Sequence, residues 1–276
     1  MNTETLIVNE AWVKFGVFIG LLLVLFTAEY FFRRRRPESL MKRWTSNFGL
    51  IASATLLSRL IFPFAGVGTA LWAEANHVGM FHFLPWPQTL EIFLALVMLD
   101  LAIYWQHRLF HIFPFLWRMH RAHHSDLGYD TSLGIRFHPF EIALSQAYKL
   151  GWVLLLGVAP IAILIYESLL MGFSLFTHAD IRIPLKLDAV LRKLIVTPDF
   201  HRVHHSVHRM ETDSNYGNIL SLWDRLFSSY CSQPRDGHET MQIGLHEFRT
   251  APEQKLGALL IQPFRNVKTL PDDQHA

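Results

Sequence analysis

Residues 150–179 read LGWVLLLGVAPIAILIYESLLMGFSLFTHA, thirty residues in which Glu167 is the one charge. A single helix of that length would run about 45 Å, well past the roughly 30 Å of a bilayer's hydrocarbon core. Gly157 and Pro160 stand where such a helix would have to turn. The pattern therefore predicts an outgoing helix at 142–157 and a returning helix at 160–177. Both halves are short, so a re-entrant hairpin fits as well as two full spans. Parity makes this reading decide the fold. Two passes bring His178 back to the side from which the chain came. One pass would leave the histidines before this stretch and those after it on opposite faces of the bilayer.

The rest of the chain is read to the same rule. Residues 11–32 are long and apolar enough to span. Two acids precede them and the basic block Arg33 to Arg36 follows, the reverse of a secretory leader, so the run is expected to be a retained anchor. Arg33 to Arg36, Lys42 and Arg43 place the end of that span in the cytoplasm and its N-terminal end outside. Residues 46–75 are expected to return outward as a kinked helix, broken near Arg59 and Pro63. The stretch 77–88, with Pro85, Trp86 and Pro87, reads as a turn at the far interface, and 89–105 runs inward again. The fold class expected is all-α, a multi-span membrane bundle with a cytoplasmic, histidine-rich helical cap. Residues 1–85 are expected to form an N-terminal transmembrane region, 86–235 a catalytic domain and 236–276 a polar C-terminal tail, all in one structural unit.

Composition agrees. Of 276 residues, 51% are apolar and 17% charged, where a soluble domain carries about a quarter charged. A net charge of +2 argues against a nucleic-acid partner, which wants a basic stripe. Cys231 is the only cysteine, so neither an internal disulfide nor a thiolate cluster can form. Any metal must be held by imidazole and carboxylate.

Imidazole is plentiful, with 16 histidines. His107 and His111 are four apart; HRAHHS supplies His120, His123 and His124; HRVHHS supplies His201, His204 and His205. On a helix, residues three and four apart share a face, so each group can converge on one site. Adjacent histidines diverge by about 100°, so one of each neighbouring pair can serve a second ion. Eight such rings exceed the need of one ion, and two ions with four or five imidazoles each fit the count. Imidazole suits zinc, copper, iron and nickel alike. A zinc metallohydrolase and a metal transport or storage protein therefore stay open as alternatives. His77 and His82 read as satisfied packing residues, and His208, His238, His246 and His275 as surface residues.

The order HRLFH, HRAHH, HRVHH, set among DLAIYWQHRLFH, LWRMHRAHHS, FHPFE and NYGNILSLWDRLF, resembles the fatty acid hydroxylase and sterol desaturase superfamily of integral membrane di-iron enzymes, from about Leu94 to Tyr230. One departure is Ser228–Ser229, where that family usually has Gly-Thr. The resemblance implies two iron ions on histidine at the cytoplasmic face, O2 as co-substrate, and hydroxylation or desaturation of a sterol or acyl lipid. It adds His178 to the ligands and makes His138 a ligand or a donor behind one. Because alkyl C–H bonds are inert to side chains, the cofactor would carry the chemistry. An external electron donor is implied as well, a separate reductase working through cytochrome b5 or a ferredoxin-like carrier. Ligating imidazoles usually donate their second N–H to an acceptor. Asp100, Asp126, Asp130, Glu141, Asp180, Asp199 and Asp224 are the carboxylates expected to accept, Asp100 first among them because a free charge in a span is costly.

Overall fold

The computed structural model describes residues 3–35, 40–83 and 85–266; Arg36, and the end of the chain with His275, lie outside them. Among the described residues there is no sheet, only three isolated bridges. The chain is all-α. Eight helices build the bundle: α1 (Thr3–Val8), α2 (Glu10–Phe32), α3 (Leu40–Ile61), α4 (Ala65–Ala75), α5 (Gln88–Ile112), α6 (Pro114–His124), α7 (Pro139–Leu156) and α8 (Pro160–His178). Short helices make the cap: α9 (Leu185–Leu191), α10 (Pro198–His204), α11 (Arg209–Thr212), α12 (Leu222–Leu226) and α13 (Leu256–Ile261).

The opening stretch does split. Gly157 closes α7 with φ 72°, its N–H bonded to the Val153 carbonyl. That left-handed conformation is one glycine adopts without a Cβ penalty. Pro160 then occupies the first turn of α8, where a missing N–H costs nothing. The kink expected at Pro63 falls between α3 and α4.

Among the described residues, four stretches are long and apolar enough to cross a membrane: Glu10–Phe32, Lys42–Phe83, Gln88–Ile112 and Pro160–His178. Helix α7 is nearly as long but turns Glu141, Gln146 and Lys149 toward an internal cavity. Outward faces are bare hydrocarbon: Trp12, Leu23, Val24, Phe31 and Leu60 are exposed. In water so continuous an apolar surface would drive association, whereas lipid tails cover it at no cost. At the end remote from the histidines, Val67, Leu99, Val153, Leu156, Ile163 and Tyr166 pack together, joined by Leu6 and Ile7 of α1. Nearer the histidines, Leu25, Ile135 and Leu175 form a second cluster.

The cap is held largely by buried charge. Arg136 is fully buried and donates to the Ala122 carbonyl, Asn47, Ser125 and Gln254. Arg43 of α3 clasps Asp126 through Nε at 2.7 Å and Nη2 at 3.0 Å, and Asp130 through Nη1 at 2.5 Å. Residues 237–266 fold back on this cap. Arg35 donates to the carbonyls of His238 and Met241, and Arg118 and Arg121 donate to carbonyls in the 262–265 stretch.

Candidate metal centre

Helix α5 brings His107 and His111 to its last two turns, α6 ends in His120, His123 and His124, α8 ends in His178, and α10 with its C-cap carries His201, His204 and His205. These nine rings meet as two clusters. His107, His111, His120, His124 and His204 form one; His123, His178, His201 and His205 form the other. Within each, the nitrogens on offer lie within 4.8 Å of one another. Both repeats are therefore divided between the clusters. HRAHH gives His120 and His124 to the first and His123 to the second. HRVHH gives His201 and His205 to the second and His204 to the first. Each i, i+4 pair shares a helix face and the residue between points away.

The proton inventory shows what the clusters are built for. Nδ1 of His107 sits 2.8 Å from the Tyr216 carbonyl, and Nδ1 of His204 sits 2.7 Å from the Ser214 carbonyl. A carbonyl only accepts, so each Nδ1 carries the proton and each Nε2 a lone pair. Those two Nε2 atoms are 3.0 Å apart. The second cluster repeats the arrangement. His178 donates from Nδ1 to Ser174 at 2.6 Å, His123 donates to Arg136 at 3.2 Å, and their Nε2 atoms are 3.2 Å apart. Lone pairs facing each other in a buried pocket repel, and a shared cation reverses the sign. Two imidazoles bound at right angles to one ion, each at about 2.1 Å, would be roughly 3 Å apart. The residues fit two metal ions.

Electrostatics agree. Burial, and then the charge of neighbouring rings, holds His123, His124, His201, His204 and His205 well below the ordinary 6.5. They stay neutral, as ligands must. As pH falls below about 6.5 the unfolded chain takes up protons that these rings refuse, so unfolding gains on folding. The metal-free protein is expected to lose thermal stability steadily from pH 7 to pH 5. Unfolding midpoints measured in detergent would check this, and a midpoint flat over that range would contradict it.

The carboxylates divide differently from the sequence reading. Glu141 accepts from His120 Nδ1 at 2.6 Å. Of the seven acids expected behind the rings it is the one that touches one. Asp100 accepts from Leu220 N–H and Trp223 Nε1, tying the 217–227 loop to α5. Asp224 accepts from the N–H groups of Tyr216 and Gly217 and from Ser229, fixing the carbonyl that holds His107; burial raises its pKa to about 6. Asp126 and Asp130 serve Arg43. Asp180 accepts from the Arg35 N–H, and Asp199 pairs with Arg34 and Arg202. The acceptor that sequence reasoning missed is Asp213, 3.1 Å from His111 Nδ1; no spacing rule marks it.

His138 lies outside both clusters. Its Nδ1 caps α7 by accepting from the Phe140 N–H, and its Nε2 contacts the Leu260 carbonyl at 3.1 Å. His238 is a correction: expected at the surface, it is buried, with neither ring nitrogen bonded among the described residues. Ser228 takes the left-handed φ of 56° that a glycine would adopt freely. Ser229 Oγ bonds the Tyr104 hydroxyl at 2.8 Å.

Glu141→Gln keeps shape but loses the charge behind His120. It is expected to weaken metal retention at the five-histidine cluster by about 10–100-fold, read by chelator competition on purified protein. Unchanged retention would show the contact to be incidental.

A cavity of about 950 Å³ opens onto His107, His120, His123, His178 and His201, within the size range of ligand sites. Its walls are mostly apolar, among them Phe18, Ile51, Phe110, Leu170 and Met171.

The fatty acid hydroxylase signature matches residues 92–229, half of the chain. The chain belongs to the fatty acid hydroxylase family. Relatives of this chain include human alkylglycerol monooxygenase, 28% identical over 217 residues, covering 77% of this chain and 46% of that one. The ornithine lipid hydroxylase OlsE of Rhizobium tropici is 34% identical over 186 residues, 63% of this chain and 51% of its own. Human lathosterol oxidase is 28% identical over 135 residues, 48% of this chain and 42% of its own. The chain thus spans about half the length of these relatives. No solved structure matches it.

Proposed function

We propose that the protein is an integral membrane oxygenase that holds two iron ions and uses O2 to hydroxylate or desaturate a sterol or acyl lipid. The observation that carries this reading is the pair of buried clusters with opposed imidazole lone pairs, facing an apolar cavity in a family of hydroxylases. His107, His111, His120, His124 and His204 would hold one iron, and His123, His178, His201 and His205 the other. Five imidazoles exceed what a closed tetrahedral zinc site takes. A transport path would string histidines through the membrane, whereas these sit in one pocket at the helix ends.

When bound, the irons supply O2 activation and the electron steps that break a C–H bond. The chain's own work is to aim and exclude. Carbonyls of Ser174, Arg136, Ser214 and Tyr216, with Glu141 and Asp213, fix the tautomers of six of the nine rings, His178, His123, His204, His107, His120 and His111, and leave the other nitrogen of each facing inward. The apolar walls align an alkyl chain and keep out water. Hydroxylation places one oxygen atom in the product and releases the other as water, which consumes two electrons and two protons. A separate reductase with a cytochrome b5 or ferredoxin-like carrier would deliver the electrons. Arg33 to Arg35 lie at the histidine end of α2, where Arg34 N–H bonds the Asp180 carbonyl. By the positive-inside rule this supports a cytoplasmic metal site, with the other end of α2 outside. Residues 86–235 would be the catalytic unit.

The test is iron content together with lipid mass spectrometry of cells carrying the wild type, no gene, or His123→Ala. Iron near two per chain is expected, with an oxidised lipid absent in both controls. Active protein without iron, or with activity that survives anaerobically, would end the proposal.

A further inference from the structure

The cavity that reaches the histidines does not end in hydrocarbon. Its far end is lined by Lys14 of α2, Arg59 of α3, Lys149 of α7 and Glu167 of α8. Glu167 stands eleven residues before His178 on α8, about 16 Å of helix. Lys14 Nζ lies 2.8 Å from one Glu167 oxygen and Lys149 Nζ lies 2.5 Å from the other. Glu10, 2.9 Å from Lys14 Nζ, is the only other acid in contact among the described residues. Arg59 has no hydrogen-bond or ion-pair partner among the described residues.

The side chains of Lys149 and Glu167 are only 10% and 9% exposed and are paired, as charges at membrane depth must be. Arg59, by contrast, is exposed near the end of α3 and free to meet a ligand. Glu167 cannot satisfy three cations, and Glu10 shares only Lys14, so the far end keeps a positive excess centred on Arg59. Between it and the histidines the wall is mostly apolar, with Gln106, Ser145, Gln146 and Ser174 among its polar members. Access is lateral. Helix α2 packs on α8 and α3 packs on α7. The cavity therefore has an edge between α2 and α3, where Phe15 is 57% exposed and Leu56 64% exposed. A chain sliding in through that edge would meet cations at one end and imidazoles at the other. Tail-first entry would press a terminal methyl against three charges.

Building on the oxygenase reading, we propose that the far end is a head-group subsite. It takes the single anionic group, carboxylate or phosphate, of a one-chain amphiphile, whose chain runs along the apolar wall and lays a carbon remote from the head against the histidines. Arg59 is the cation that chooses the head, and the distance from Glu167 to His178 sets how far along the chain oxidation falls.

The experiment is equilibrium binding to the full chain with its iron, in nanodiscs of uncharged lipid. The probes are dodecyl phosphate, dodecanoate, dodecanol, dodecyltrimethylammonium and inorganic phosphate. The two anions are expected to bind at least about tenfold more tightly than dodecanol, as a charge-assisted contact would give, with the ammonium weakest. Arg59→Gln should remove that preference and leave dodecanol unchanged, and Arg59→Lys should keep most of it. Iron content and unfolding midpoint, measured on the same samples, are expected to stay at wild-type values. Equal affinity for dodecanol and dodecyl phosphate, or an Arg59→Gln variant that binds the anions as before, would overturn the subsite. Competition by inorganic phosphate would replace it with a free-anion site. Wild-type protein that binds the anions but lacks iron would sink the oxygenase reading alone, because binding is scored without turnover.

Discussion

His204→Ala is expected to behave like His120→Ala and unlike His205→Ala, although His205 is its neighbour and His120 lies in another helix. The clusters cross the repeats, so phenotype should follow the cluster. Loss of any of the nine rings is expected to cut turnover by at least about a thousandfold, roughly 4 kcal/mol of barrier, because both ions would be needed for one reaction. Iron content should separate the two groups. His123, His178, His201 and His205 make a four-ring cluster; removing one leaves three imidazoles, and about one iron per chain should be lost on purification. His107, His111, His120, His124 and His204 make a five-ring cluster. Four imidazoles remain after one deletion, so the ion should stay, bound more weakly and released first to a chelator. Iron per chain for the nine alanine variants decides this. Values that grouped by HRAHH and HRVHH instead would contradict the crossed arrangement.

The histidine pattern was legible because it obeys helix periodicity. An i, i+4 pair and an intervening divergent ring are geometric consequences of the helix, and His120, His123 and His124 follow them. Parity was legible because Gly157 and Pro160 are residues whose backbone limits announce a turn. The supporting contacts were not legible, for two physical reasons. Four of the acceptors behind the rings are backbone carbonyls, of Arg136, Ser174, Ser214 and Tyr216, and a carbonyl leaves no trace in the residue type. The acids, meanwhile, answer to a stronger demand. The cap buries Arg43, Arg136 and Arg202, and a buried guanidinium must be paired. Asp126, Asp130 and Asp199 go to them and not to imidazole. His138 was ambiguous for a similar reason. A histidine directly before Pro139 suits an N-cap as well as a ligand site, and only the three-dimensional position separates the two.

That demand makes Asp126 the residue on which the cap's stability is expected to depend most. It accepts from Arg43 Nε and Nη2, lies 3.7 Å from Arg136 Nη1, and also takes the Gly128 N–H. Its environment holds its pKa well below the usual carboxylate range: burial opposes ionisation, and the two guanidinium groups more than reverse it. Asp126→Ala would leave Arg136, fully buried, with no carboxylate nearby, and Arg43 with Asp130 alone. Breaking one side of a buried pair costs about 3–5 kcal/mol. A fall of that size in unfolding free energy is expected, as a lower urea midpoint for the protein in detergent. The loss should be retained across pH 5–8, since a carboxyl with so depressed a pKa is ionised throughout that range in the wild type and its contribution fades only in stronger acid. Arg136 also holds His123 through its carbonyl, so iron at the four-ring cluster should fall with stability. A variant in which Arg136 is replaced as well, Asp126→Ala with Arg136→Met, removes the stranded charge and should recover part of the midpoint. No recovery would mean that packing, and not charge pairing, is what Asp126 supplies.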